Sequence, residues 1–209
     1  MERRYHHGDL ASQLIAAALK ALDRSGPDAV SLRELAAELG VSRAAPYRHF
    51  ANRDALLAAV AAHGFDDLNS DYDRAVQAGG DAMDGLRALS RAYFDFARDR
   101  PGLFKLMFES EFLARDRPPA VLIGPADRAY HLLWEAVAAA YPDADEREVK
   151  ARTITMWSTI YGFLSLSGAR RIKDFMVRPL SDAEIEAAVI EAAVRGAVPD
   201  DLVRNRVGG

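Results

Sequence analysis

Apolar positions recur every three or four residues along nearly the whole chain, the period of a helix with one buried side. Leu10, Leu14, Ala18 and Leu22 predict a first helix over 9–25, stopped by Gly26-Pro27. Ser31-Leu-Arg-Glu34 has capping-box spacing: Ser31 would accept from the Glu34 N–H, and Glu34 would reach back. It opens a second helix whose apolar side is Leu32, Leu35, Ala36 and Leu39, ended by Gly40. Ser42 is placed to cap a third helix. Asn52 is placed to cap a fourth, with Leu56, Leu57, Val60, Gly64 and Leu68 on one face. Beyond Gly79-Gly80 the pattern continues through Leu86, Leu89, Tyr93 and Phe96 to Arg100-Pro101, then a short apolar segment at 103–108. Pro118, Pro119 and Pro125 punctuate a loop, and further helices are predicted over 126–141, 145–167 and 182–196. No segment alternates with the period of a strand. The expected class is all-α with about nine helices, divided as a head over 1–52, a connecting helix over 53–78 and a body over 79–209.

The head has the layout of a helix-turn-helix, two helices joined by a short turn containing Gly40, with the first helix as the third member of a small core. Charge sharpens this picture. The chain of 209 residues carries a formal net charge of −4. Residues 1–63 nevertheless stand at +1 and hold four of the five histidines, and Gly40–Arg53 has three arginines and no acid. Focal positive charge of that kind suits a polyanion even in an acidic protein. There is no cysteine, which removes disulfides, thiolate nucleophiles and cysteine–zinc sites. No run approaches the roughly 18 apolar residues of a spanning helix, and no signal-type segment follows the N-terminal arginines. A soluble cytoplasmic protein is expected, with no metal, cofactor or membrane contact.

DNA contact sorts the residues of the third predicted helix. Arg43 is the side chain there able to pair in bidentate fashion with guanine O6 and N7. Ala44 and Ala45 permit close approach and offer methyls to thymine. Tyr47, Arg48, His49 and Arg53 are long donors suited to phosphate oxygens, which set register rather than sequence. Ser31 and Ser42 sit at helix N-termini, where a phosphate is favoured, and Arg3 and Arg4, with His6 and His7, form a basic arm. Pro46, at the fourth helical position, removes only the first intrahelical bond, so a tightened first turn is expected.

The body is dense in aromatic and sulfur side chains. Phe94, Phe104, Met107, Phe108, His131, Trp134, Trp157 and Tyr161 are candidates for a pocket that takes an apolar or amphipathic small molecule, with His131 as its polar handle. An enzyme would need a motif the chain lacks: no phosphate loop, no paired carboxylates beside a histidine, no His-x-x-x-His. An architectural DNA binder would want a basic remainder, and residues 64–209 stand at −5. A body that binds a protein partner instead of a small molecule is the remaining alternative.

The stretch SLRELAAELGVSRAAPYRHFANRDALLAAV, with its Tyr-x-His-Phe pattern (Tyr47, His49, Phe50) and Arg53 before Leu56-Leu57, resembles the tetracycline-repressor (TetR-type) family of transcriptional regulators. In the body, Trp157-Ser-Thr-Ile-Tyr161-Gly162 is similar to the Trp-x-x-x-His-Gly pattern of one subgroup, with tyrosine in the histidine position. The resemblance implies a three-helix DNA-binding head and a ligand-sensing body. It also implies a homodimer through the last two helices that reads a palindromic operator as a repressor. The stripes expected to pair across the two-fold are Val149, Met156, Ile160 and Leu164, then Ile185, Ala188, Val189 and Ala192.

Overall fold

The computed structural model describes residues 9–78, 80–110 and 118–196. Among them are nine α-helices and no strand. They are α1 (Asp9–Ser25), α2 (Leu32–Glu38), α3 (Arg53–Gln77), α4 (Ala82–Asp99), α5 (Pro101–Glu109), α6 (Ala120–Ala140), α7 (Glu146–Gly168), α8 (Asp174–Val177) and α9 (Asp182–Val194). The all-α class stands. The helix predicted as the fourth is α3, because the third forms no α-helix.

The chain packs as two compact units. One holds the residues up to Asp67 together with Asp99–Asp127; the other holds Leu68–Arg98 and the chain from Arg128. This division follows packing and cuts α3 in two, whereas boundaries at 52 and 78 follow the motifs.

In the first unit, Leu14, Ala18 and Leu22 of α1, Leu35 and Ala36 of α2, and Leu56, Leu57 and Val60 of α3 are buried, as their four-residue spacing requires. Asn52 caps α3 through Oδ1, which accepts from the Ala55 N–H at 2.9 Å. Two glycines let α5 come close. A Cβ on Gly102 would lie 2.8 Å from the Leu22 carbonyl oxygen of α1, and one on Gly64 of α3 would lie 2.5 Å from Met107 Sδ of α5. Phe108 meets Phe104 at 4.8 Å and Phe65 edge-on at 5.5 Å.

In the second unit, α7 and α9 pack together. Val149, Thr153, Met156 and Ile160 face inward from α7, and Ile190, Ala193 and Val194 from α9. Three of the α7 residues expected at a two-fold are therefore buried within their own chain. The outward side of α7 carries Ile154, Trp157 and Leu166 instead. On α9, by contrast, Ala188 and Ala192 remain exposed. A capping box does form here, at Ser181 and Glu184. Arg152 donates to the buried Glu148 at 2.8 Å and to the Gly196 carbonyl at 3.2 Å, bolting the end of α9 to α7. Arg87 of α4 donates to Glu191 of α9 at 2.6 Å, and this bond holds the Glu191 carboxyl below the usual carboxylate range.

Candidate nucleic-acid interface

Helix α2 must stop sharply if the next segment is to face outward. Gly40 does this at φ +67: its N–H donates to Ala37 at 3.1 Å and the Val41 N–H to Ala36 at 2.9 Å, the paired bonds of a Schellman ending. No atom lies within 4 Å of where a Gly40 Cβ would sit. Glycine is thus required for its backbone angle, not for room.

Residues 42–50 correct the expectation of a third α-helix. Ser42 does not cap through its side chain; its carbonyl accepts from the Ala45 N–H at 3.0 Å. Pro46 has no N–H with which to take that carbonyl in α-helical fashion, so the chain closes one residue earlier, three apart instead of four. Pro46–Arg48 then form a single 3-10 turn, with Arg48 N–H to Ala45 at 3.2 Å and His49 N–H to Pro46 at 3.0 Å. Proline is comfortable as the first residue of such a turn. The tightening expected of the first turn runs on to His49, after which the Phe50 N–H reaches back four residues to the Pro46 carbonyl at 2.9 Å.

The turn sorts its side chains. Ser42, Arg43 and Ala44 are exposed, as are Tyr47, Arg48 and His49, while Ala45 is half-buried. Pro46 and Phe50 are buried and hold the segment down, so Pro46 supports the surface instead of forming it. Tyr47, at 46% exposed, stands outside the core. Beneath the segment runs a cleft of about 300 Å³ lined by Leu10, Val41, Ser42, Ala45, Arg48 and His49.

Two further residues differ from expectation. Ser31 has the extended backbone of a helix cap, yet its hydroxyl makes no capping bond; only its carbonyl serves, accepting from Leu35 N–H at 2.9 Å. The capping box predicted with Glu34 does not form. Arg53 turns inward. Its Nε donates to the Val30 carbonyl at 3.0 Å and a terminal nitrogen to the Pro27 carbonyl. Both acceptors lie in the loop between α1 and α2, so Arg53 ties that loop to the start of α3. Arg53→Ala is expected to destabilise the protein by about 1 kcal/mol, less than a buried charged hydrogen bond gives, because the side chain is 40% exposed. Chemical denaturation measures this. Affinity for specific and random DNA should fall together. Arg53→Lys should not restore stability, since one ammonium cannot span both carbonyls in forked geometry. Arg3, Arg4, His6 and His7 lie outside the described residues.

The eight body candidates divide between the two units. Phe104, Met107 and Phe108 belong to the first unit, whereas Phe94, His131, Trp134, Trp157 and Tyr161 belong to the second. His131 is exposed. The inward side of α6 is Ala129, Leu133 and Val137, and two residues of helix turn a side chain about 200° away. Trp157 is 37% exposed and donates its indole N–H to Tyr93 Oη at 3.2 Å. Phe94 is buried, with Phe163 at 5.8 Å.

Sequence reasoning missed the polar groups in this interior. Asn69, Tyr72, Ser90 and Tyr93 are all buried in the second unit. Burial pushes the Tyr72 and Tyr93 phenols well above their ordinary values, so both stay protonated. The indole N–H of Trp134 and the Ser165 hydroxyl are shielded from solvent with no hydrogen-bond partner. A polar residue interrupting an apolar stripe was the available signal.

Residues 14–60 match the family described as bacterial regulatory proteins, tetR family, and residues 86–192 match the tetracyclin repressor-like C-terminal domain. A solved structure of a protein of unknown function from Rhodococcus sp. RHA1 is 31% identical, with a TM-score of 0.77, covering 95% of this chain and 100% of that one. HTH-type transcriptional regulator Rv1816 of Mycobacterium tuberculosis is 27% identical over 148 residues, 70% of this chain and 63% of that protein. HTH-type transcriptional activator FasR of Mycolicibacterium smegmatis is 31% identical over 108 residues, 52% of this chain and 49% of FasR. The chain thus spans less than two thirds of the length of these two curated relatives. The head match contains the whole Gly40–Arg53 segment, the body match covers about half the chain, and both are models of regulators, not enzymes. The chain belongs to the TetR family of bacterial helix-turn-helix transcriptional regulators.

Proposed function

We propose that the chain represses transcription by binding a palindromic operator as a homodimer, and that a small apolar or amphipathic effector releases it. The observation that carries the reading is the exposed Arg43-Ala44 edge, backed by Tyr47, Arg48 and His49, on a turn held outward by Gly40 and anchored by Pro46 and Phe50. A short 3-10 turn presents few side chains to a groove, so base reading falls to Arg43 and the alanine methyls. The other donors take phosphates and fix the register. A two-fold dimer offers this edge twice, which matches a palindrome. Ala188 and Ala192 on α9, with Ile154, Trp157 and Leu166 on α7, supply the uncovered surface such a dimer needs.

The shielded Trp134 N–H and Ser165 hydroxyl favour a small-molecule effector over a protein partner, because buried polar groups call for an acceptor or donor that reaches them. An effector that reached either group would favour one arrangement of the body. Coupling of that sort changes operator affinity by about 1–3 kcal/mol. The test is a mobility shift on palindromes from the DNA flanking the protein's own gene. Retardation at low salt that weakens steeply with added salt is expected. If no flanking fragment binds at any salt, the operator reading is wrong.

A further inference from the structure

A 3-10 turn is tighter than an α-helix, and the cleft of about 300 Å³ beneath the one at Pro46–Arg48 has two kinds of lining. Its floor is aliphatic: Leu10 of α1, which is buried, with Val41 and Ala45, both half-buried. Its rim is polar: Ser42, Arg48 and His49, all exposed. None of these three side chains has a hydrogen bond or ion pair among the described residues. An apolar hollow edged by a few convergent donors is the usual form of a small-molecule site.

Size and charge narrow the occupant. At the roughly 30 Å³ that a water takes in the liquid, the cleft holds about ten heavy atoms. The rim suits an anion. A guanidinium meets a carboxylate in forked geometry, an imidazole N–H and a hydroxyl can donate beside it, and no acid lies between Gly40 and Arg53 to oppose it. The floor offers no polar side chain, so the rest of the ligand is hydrocarbon. Residues 1–8, which lead into α1, carry two arginines and two histidines against one acid, and so do not complement the rim. A duplex brings phosphates to the rim but no aliphatic chain to the floor.

We propose that the cleft is a second small-molecule site, on the DNA-binding head, for an anionic amphiphile of about eight carbons. Its tail lies on Leu10, Val41 and Ala45, and its carboxylate takes Arg48, with His49 and Ser42 alongside. Arg48 and His49 are the donors assigned to phosphates above, so this ligand and DNA exclude one another. The site is separate from that of the body effector, and only the exclusion of DNA rests on the operator reading.

Octanoate is the probe, and the ring protons of His49 in the full chain are the readout, assigned by their loss in His49→Gln. At constant ionic strength octanoate should shift them saturably, with a dissociation constant of ~1 mM or below for a ligand of this size. Acetate, the charge without the tail, should not saturate. Arg48→Gln should weaken octanoate about fivefold or more and leave 1-octanol, the tail without the charge, within about twofold. Ala45→Leu fills the floor and should weaken both about tenfold with an unchanged circular dichroism spectrum. In mobility shifts, saturating octanoate should raise the dissociation constants for operator and random duplex by one common factor in the wild-type chain, and have no effect in Ala45→Leu. Octanoate that binds no tighter than acetate overturns the site, as does an Arg48→Gln change that weakens 1-octanol as much as octanoate. Octanoate that saturates His49 and leaves DNA binding unmoved overturns the exclusion. A wild-type chain that binds no duplex sinks the operator reading alone, and the His49 titration still decides the cleft.

Discussion

Gly102→Ala is expected to lower the stability of the protein by about 1–3 kcal/mol, the range for an extra methyl forced into a packed contact. The new Cβ would stand 2.8 Å from the Leu22 carbonyl oxygen and 3.1 Å from Leu22 Cδ2. The nearer atom is backbone at the end of α1, already fixed because the same carbonyl accepts the Gly26 N–H at 2.8 Å. Neither helix can yield without moving. In thermal unfolding this corresponds to a loss of about 2–4 °C per kcal/mol for a chain of this size. Gly64→Ala gives the contrast. Its Cβ would also be too close, at 2.5 Å, but to the Sδ of Met107, a side chain with three rotatable bonds that can swing aside. Gly85→Ala in α4, with nothing within 4 Å, should be neutral or stabilising, since alanine is the better helix former. Equal melting curves for the Gly102 and Gly85 variants would show that α1 and α5 do not approach as described.

Arg43→Ala is expected to cost about 1–3 kcal/mol at one base pair of the operator and nothing comparable on random DNA. Arg43 is exposed at the head of a segment with no acid between Gly40 and Arg53. Its neighbours on the same edge, Ser42, Ala44 and Ala45, are too short for bidentate base contact. Loss of Arg43 should therefore relax the sequence preference at that pair while leaving the salt slope nearly as it was, since few phosphate contacts are lost. Competition binding against a panel of single-base operator variants reads this directly. A loss of the same size on specific and random DNA would assign Arg43 to the backbone.

The residues behind these two predictions differ in how legible they are from sequence. The span of α1, the cap at Asn52 and the stop at Gly40 are local matters. Each depends on residues within one turn of the feature, so spacing alone finds them. The segment after Gly40 is local as well, yet its form differs from the pattern. The missing Pro46 N–H is plain in the sequence, but its effect depends on which donor takes the freed Ser42 carbonyl, and Ala45 takes it. The α7 face illustrates another barrier. Val149, Met156 and Ile160 form one apolar stripe and Ile154, Trp157 and Tyr161 another, and periodicity cannot say which packs inward. His131 misleads because its apolar sequence neighbours lie on other sides of the same helix. The inward turn of Arg53 and the approach of Gly102 to Leu22 join residues 23 or more apart, which no short-range pattern encodes.

The packing of Asp99–Asp127 with the residues up to Asp67 bears on how such regulators can be recombined. A hybrid made by grafting the first 52 residues onto another body would set α1 against a foreign α5. Any residue larger than glycine at the Gly102 position would then strike the Leu22 carbonyl. The transferable cassette is discontinuous, made of the stretch to Asp67 and the stretch from Asp99. Replacing surface side chains of the turn leaves that packing intact, whereas a cut at residue 52 divides it.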